Sequence, residues 1–141
     1  MTDHLSLIAD MGRQARDAFS ALAAADDQQK AAALLAAAHQ LRQDQKTILA
    51  ANAQDMENGR KNGLSDAMLD RLMIDGERLE AIAKAIENVA ALPDPVGAVI
   101  DRSERPNGLI MERVRVPLGV IGIIYESRPN VTADAGALCL K

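Results

Sequence analysis

The sequence predicts an α/β protein that is mainly helical at first, then forms a β-hairpin, and ends with the opening strand, loop and helix of a parallel sheet. Three observations point there. Up to about Pro93 the apolar residues recur at steps of three and four, the period of a helix face. Beyond Pro95, β-branched residues gather on either side of Pro106, Asn107 and Gly108, a turn signal. Leu118 to Ile124 is then almost wholly apolar, as suits a strand buried on both faces of a parallel sheet, and a polar turn follows it.

The first helix carries Leu5, Ile8, Gly12, Ala15, Phe19 and Leu22 on one stripe, with Arg13, Arg16 and Asp17 outside it. Asp26 and Asp27 are capping residues for a second, Ala-rich helix. Its Leu34, Leu35, Ala38, Leu41, Ile48 and Leu49 keep helical spacing, so it reaches Asn52 to Met56. Asn58 with Gly59 and Asn62 with Gly63 are stop signals, because both residue types tolerate the left-handed conformation that ends a helix. Ser65 caps a short helix through Leu72. Asp75 caps a longer one with Leu79, Ile82, Ile86 and Val89 facing inward, ending at Pro93 and Pro95.

Val96, Val99 and Ile100, and then Leu109 to Val116, supply the two strands of the hairpin. Glu112, Arg113 and Arg115 imply that one of its sides faces water or a partner chain. Pro117 has no N–H to donate and interrupts the ladder. After the strand Leu118 to Ile124, Val131 to Leu140 reads as a helix with Ala and Leu facing inward. A parallel strand must pair with another beyond its crossover, and none is supplied before Lys141, so the sequence reads as cut off. The organisation expected is a helical part over 1–96, a hairpin over 97–116, and an incomplete strand, loop and helix over 117–141.

Composition excludes several classes. The 141 residues hold 16 Lys and Arg against 20 Asp and Glu, a net charge of -4, which argues against nucleic acid as the main partner. Phe19 and Tyr125 are too far apart in sequence to suggest a platform for stacked bases. A lone cysteine, Cys139, forms no intrachain disulfide, and with His4 and His39 it makes no zinc-ligand spacing. The N-terminal apolar tract is interrupted by charge, and no apolar stretch approaches the roughly 18 residues of a membrane span. A cytoplasmic protein without a membrane partner is expected.

In open α/β sheets ligands bind beyond the carboxyl ends of strands, which places the polar turn of Tyr125, Glu126, Ser127, Arg128, Pro129 and Asn130 where a cofactor or substrate belongs. Arg128 suits an anionic group, Ser127 and Asn130 offer hydrogen bonds, and the next helix N-terminus favours negative charge. The plainer reading is that Asn130 caps the helix, Pro129 stiffens the turn and Glu126 pairs with Arg128. Gly119 and Gly122 stand in GVIG spacing inside the strand and do not make a GxGxxG phosphate loop. Cys139, between Leu138 and Leu140, is expected to be buried and structural, and His4 and His39 to lie on helix surfaces.

The segment VPLGVIGIIYESRPNVTADAGALCLK, Val116 to Lys141, closely resembles the start of the catalytic region of the glutamyl phosphate reductases, or glutamate-5-semialdehyde dehydrogenases, of the aldehyde dehydrogenase superfamily. ILAANAQDMENGRKNGLSDAMLDRL (Ile48 to Leu72) and VAALPDPVGAVIDRSERPNGLIMERVRVPLGVIG (Val89 to Gly122) agree with it. GVIG is shared widely in the superfamily; YESRPN, with DPVG and RPNGL upstream, is specific. The resemblance covers this whole chain and well under half of the family's chain.

It implies a Rossmann-like nucleotide-binding sheet and an enzyme of proline biosynthesis that uses NADPH to reduce L-glutamate 5-phosphate to L-glutamate 5-semialdehyde and phosphate. In that family a cysteine thiolate displaces phosphate, hydride reduces the thioester, and the hemithioacetal collapses to the aldehyde. The nucleophile belongs to a later domain, and Cys139 does not match it, so this chain alone is expected to be inactive. By the same analogy the hairpin reaches toward an oligomerisation sheet of a homo-oligomer, and Tyr125 to Asn130 lie beside the nicotinamide and the reacting carbonyl. An oxyanion role for Asn130 has no motif behind it, since the turn is built differently from that of the wider superfamily. The competing expectations are an Ala-rich helical interaction module without catalysis, and a different acyl-phosphate or aldehyde dehydrogenase.

Overall fold

A computed structural model describes residues 3–141. In chain order it forms α1 (His4–Ala24), α2 (Asp27–Gln43), α3 (Gln45–Lys61), α4 (Asp66–Leu72), α5 (Gly76–Ala90), β1 (Val99–Glu104), β2 (Ile110–Val114) and α6 (Asn130–Leu140). These fall into two compact units, one made of 3–27 with 93–122 and the other of 28–92 with 123–141.

The first unit holds α1 and the hairpin. Asp3 caps α1 by accepting from the Leu5 N–H at 3.1 Å. Ala15, Phe19 and Leu22 of the expected stripe are half-buried, whereas Leu5 and Ile8 are exposed. β1 and β2 are antiparallel, with Arg102 opposite Glu112 and Glu104 opposite Ile110. At the turn Gly108 has φ 81° and donates to the Arg105 carbonyl at 2.8 Å, while Arg105 N–H donates to Leu109 at 2.9 Å. Beyond Gly97 N–H to Arg115 O, 2.9 Å, the ladder stops ahead of Pro117.

The second unit holds the core: Leu34 and Ala38 of α2, Ala83, Ile86 and Ala90 of α5, and Ala137 of α6. Small residues predominate, so helices approach closely, and the aliphatic anchors Leu34, Leu79 and Ile86 each contribute about 1.5–3 kcal/mol by leaving water. The α5 stripe matches its sequence pattern: Leu79 and Ile86 are buried, and Ile82 and Val89 are half-buried beside them. Asp75 caps this helix, its carboxylate accepting from the Arg78 N–H at 2.7 Å. Lys141 donates from Nζ to the Ala90 carbonyl at 3.1 Å, closing the other end of α5 onto the end of α6.

Polar contacts reinforce the packing of α2 on α5 and tie α3 to the end of α4. Arg42 of α2 donates to both carboxylate oxygens of Glu80, from Nε at 2.8 Å and Nη2 at 2.9 Å, and to Glu87, about two turns further along the same face of α5. These hydrogen bonds hold the Glu80 and Glu87 carboxyls below the ordinary carboxylate range and raise Arg42. Asn52 of α3 is buried and serves α4: its Nδ2 donates to Leu72 O at 2.8 Å and its Oδ1 accepts from Ile74 N–H at 2.7 Å. Arg78 donates to the Asp70 carboxylate at 2.6 Å, to Met73 O at 3.1 Å and to Asp70 O.

Several expectations are corrected. The long second helix is two helices broken at Asp44, whose backbone stands at φ -87° and ψ 9°, in the bridge region outside the helical well, while its carboxylate accepts from Gln40 Nε2 at 2.9 Å. Asn58 and Gly59 do not end α3, which continues to Lys61. Gly59 serves packing instead: a Cβ there would stand 3.0 Å from Leu64 and 3.1 Å from Leu69. The stop falls at Asn62 and Gly63, where Gly63 has φ 74°. Leu118 to Ile124 forms no strand among the described residues. A strand exists only as a hydrogen-bonded pair, and the sheet of the described residues consists of β1 and β2, in whose ladder Leu118 to Ile124 takes no part. Cys139 is exposed, because the packed stripe of α6 is Ala133, Ala137 and Leu140, and Leu138 and Cys139 project away from it. His4 and His39 are exposed on helices, as expected. No helix among the described residues is long and apolar enough to cross a membrane.

Candidate functional site

The turn into α6 brings the six sequence-selected residues into one bend within the second unit. Ile123 and Ile124 enter it exposed, and Pro129 occupies the N-cap of α6. Proline suits a helix start because its fixed φ of -62° continues into the helix and its missing N–H would have had no intrahelical partner. Asn130 is therefore inside the helix and does not cap it; its Nδ2 donates to the Asp134 carboxylate at 2.9 Å, one turn on. That corrects the capping role, which passes to the residue before it.

The other plain role also fails. Neither Glu126 nor Arg128 forms an ion pair among the described residues, and both are exposed. Arg128 contributes its backbone to the turn, its carbonyl accepting from Val131 N–H at 3.0 Å, and leaves its guanidinium outside. Ser127 is half-buried with φ 52°, a left-handed conformation unusual for a residue with a side chain. Tyr125 and Thr132 share a hydrogen bond between their hydroxyl groups, closing the bend across its mouth. Thr132 was not singled out by sequence reasoning; a hydroxyl residue in the first turn of an Ala-rich helix was the available signal.

Two concavities adjoin the turn. A hollow of about 210 Å³ has Pro129 and Asn130 on one side and Arg71, Ile74, Arg78 and Ile82 on the other. Arg78 is already spent on Asp70 and Met73, so Arg71 is the cation this hollow has to offer. An open groove of about 620 Å³ runs between α2, α5 and α6 with almost wholly aliphatic walls. Neither suits a dinucleotide: the hollow is below the usual size of a cofactor pocket, and the groove is mostly apolar, its polar side chains being Asp44, Gln40, which is bonded to Asp44, and Thr132, which is bonded to Tyr125. Arg128 and the N-terminus of α6 suit a small anion such as a phosphate or a carboxylate.

Cys139 is nine residues from Asn130 along α6, about 14 Å at the helical rise. A thiol there is out of reach of a group held at the turn. No metal-ligand cluster of three or more His, Cys, Asp or Glu occurs among the described residues.

The comparisons with known proteins are consistent along the whole chain, although no family profile matches it. Gamma-glutamyl phosphate reductase of Rhizorhabdus wittichii is 61% identical over 138 residues, 98% of this chain and 32% of the relative. The protein of the same name from Paramagnetospirillum magneticum is 59% identical over 140 residues, 99% of this chain and 33% of the relative. Among solved structures, gamma-glutamyl phosphate reductase of Thermotoga maritima superposes with a TM-score of 0.90 at 42% identity, covering 94% of this chain and 32% of that one. The Saccharomyces cerevisiae enzyme gives 0.84 at 32% identity, covering 93% and 33%. The chain thus spans about a third of the length of the relatives it matches.

Proposed function

With a chain that corresponds to the N-terminal third of gamma-glutamyl phosphate reductases as the premise, we propose that it supplies one wall of an active site that reduces L-glutamate 5-phosphate to the 5-semialdehyde with release of phosphate. The observation that carries this reading is the 61% identity over 138 residues, which includes the turn. Within that wall Arg128 holds an anionic group of the substrate, and Ser127 and Asn130 line the same bend. The interaction-module alternative has no comparable support, because the match runs through all helices and the hairpin alike.

NADPH is the proposed reductant of the whole enzyme, supplying hydride to the acyl carbon when bound. The described residues do not by themselves form its pocket, so the steps assigned to this chain are binding and orientation only. The nucleophile is assigned to the remaining two-thirds of the enzyme. Cys139 is excluded by its 14 Å offset (about nine helical rises) from the turn.

The test is a hybrid in which this chain replaces the matching third of the Rhizorhabdus wittichii relative. Phosphate-dependent oxidation of glutamate 5-semialdehyde, followed as NADPH formation, should return with the hybrid and be absent with the 141-residue chain alone. Cys139→Ser should leave the hybrid's turnover unchanged, and Arg128→Ala should raise the KM for phosphate or semialdehyde. A folded but inert hybrid, or one silenced by Cys139→Ser, would overturn the reading.

A further inference from the structure

Ser127 is the one non-glycine residue with positive φ among the described residues, at 52°. An L-residue pays to stand there, so something around it must hold the backbone over. The turn shows what does. Tyr125 and Thr132 flank the bend two residues before Ser127 and five after it, and their hydroxyl groups are hydrogen-bonded to each other. Inside that closure Val131 N–H donates to the Arg128 carbonyl at 3.0 Å, and Asn130 is anchored to Asp134 at 2.9 Å. The six residues between the two hydroxyls therefore form a small closed loop with Ser127 at its tightest point and the Arg128 side chain directed outward, exposed.

We propose that Thr132 is a positioning residue: through Tyr125 it clasps the turn, keeps Ser127 in its left-handed conformation and so fixes where the Arg128 guanidinium stands. The part that concerns Arg128 rests on the anion-binding reading above; the clasp itself rests on geometry alone.

The test uses the full chain with Thr132→Val, Thr132→Ser, Tyr125→Phe and Ser127→Gly, the last alone and combined with Thr132→Val. Two readouts are followed by NMR: amide exchange at Val131 with the backbone shifts of residue 127, and the shift of the Arg128 guanidinium on titration with inorganic phosphate. Thr132→Val and Tyr125→Phe should each speed Val131 exchange and weaken phosphate binding by about fivefold, the factor a hydrogen bond of ordinary net strength supplies. Thr132→Ser should match the wild type, since it keeps the hydroxyl.

Ser127→Gly should restore the Thr132→Val chain toward wild-type exchange, because glycine adopts positive φ without a clasp. A merely structural role for Thr132 in α6 would show the same loss whatever residue stands at 127. Unchanged exchange in both clasp variants, or a loss that Ser127→Gly does not repair, would overturn the proposal. Should the exchange pattern appear as expected while phosphate leaves the wild-type Arg128 signal unmoved, the clasp is upheld and the anion-binding reading is the one that fails.

Discussion

The two units solve the burial problem in opposite ways. In the helical one, α2, α5 and α6 put Leu34, Ala38, Ala83, Ile86, Ala90 and Ala137 out of water against each other. In the other, Val99, Ile100, Ile110, Met111 and Val114 of the hairpin all stay exposed, and α1 buries no residue fully. Both segments have ample aliphatic side chains, so composition does not set them apart. Contact does: three helix faces meet in one unit, whereas a two-stranded ribbon has two faces and nothing of its own to lay on them. Backbone pairing then carries the hairpin, and its local stability should sit at the low end of the molecule's range.

The largest effect expected from this contrast is a pair of truncations. Ile86→Ala removes a side chain 4% exposed and should cost about 2–5 kcal/mol in denaturant unfolding. Ile110→Ala removes one 51% exposed and should fall within about 0.5 kcal/mol of wild type. Equal losses at the two sites would mean that the hairpin is packed as tightly as the helices, and the comparison would break.

Asn52 tests whether the helical unit depends on polar as well as apolar burial. Its amide answers Leu72 O and Ile74 N–H, the backbone groups where α4 ends, and it is buried, at 5% exposure. Asn52→Ala leaves those groups without their partner and should cost about 1–3 kcal/mol by the same measurement. The loss should be accompanied by faster exchange of the Ile74 amide; an unchanged Ile74 would mean that the α4 end finds another partner.

Those two residues also mark what the sequence could reveal. Ile86 belongs to a stripe that repeats every three or four positions, and α5 is therefore readable from one turn to the next. Asn52 looks like any polar residue of α3; its partners are 20 and 22 residues away and follow no period. The same holds for Arg42, whose acceptors lie 38 and 45 residues on, and for Gly59, which resembles a stop signal until Leu64 and Leu69 fold over it. At the candidate site the residues were legible because a polar turn between an apolar run and a helix is a local pattern. The bend's internal contacts were not, since Tyr125 to Thr132 and Asn130 to Asp134 depend on where α6 begins, and Pro129 sets that start. The Leu118 to Ile124 run carries a strand's composition without a strand's partner, and pairing is not a property of one segment.

The Arg42 network sharpens the contrast with pH. Glu80 and Glu87 lie below the ordinary 4.5 because Arg42 hydrogen-bonds their charged forms. Protons are then bound more tightly by the unfolded chain, so the contribution is complete above the ordinary value and drains away as pH falls through the lower, folded values. Acid titration of the thermal midpoint should show the helical unit losing stability below about pH 4.5, by linkage of these carboxyls. Glu80→Gln with Glu87→Gln should flatten that limb, and an unaltered limb would assign the acid sensitivity to other carboxylates. The hairpin's Arg102 and Glu112, 3.5 Å apart with Arg102 64% exposed, should add little to it.

The smallest effects compare two helix caps of the same chemistry. Asp75 and Asp3 each accept a backbone N–H at a helix start, from Arg78 at 2.7 Å and from Leu5 at 3.1 Å. Asp75→Ala should cost about 1 kcal/mol of global stability, since α5 carries the core and cannot fray without opening it. Asp3→Ala removes a cap of equal intrinsic worth from a helix whose first turn is exposed, so the loss should be absorbed by fraying of Leu5 to Ile8. Far-ultraviolet circular dichroism would then fall slightly for Asp3→Ala with no shift of the unfolding midpoint, and the midpoint would shift for Asp75→Ala. Equal midpoint shifts would show that α1 unfolds with the core and that its exposed first turn is a poor guide to its coupling.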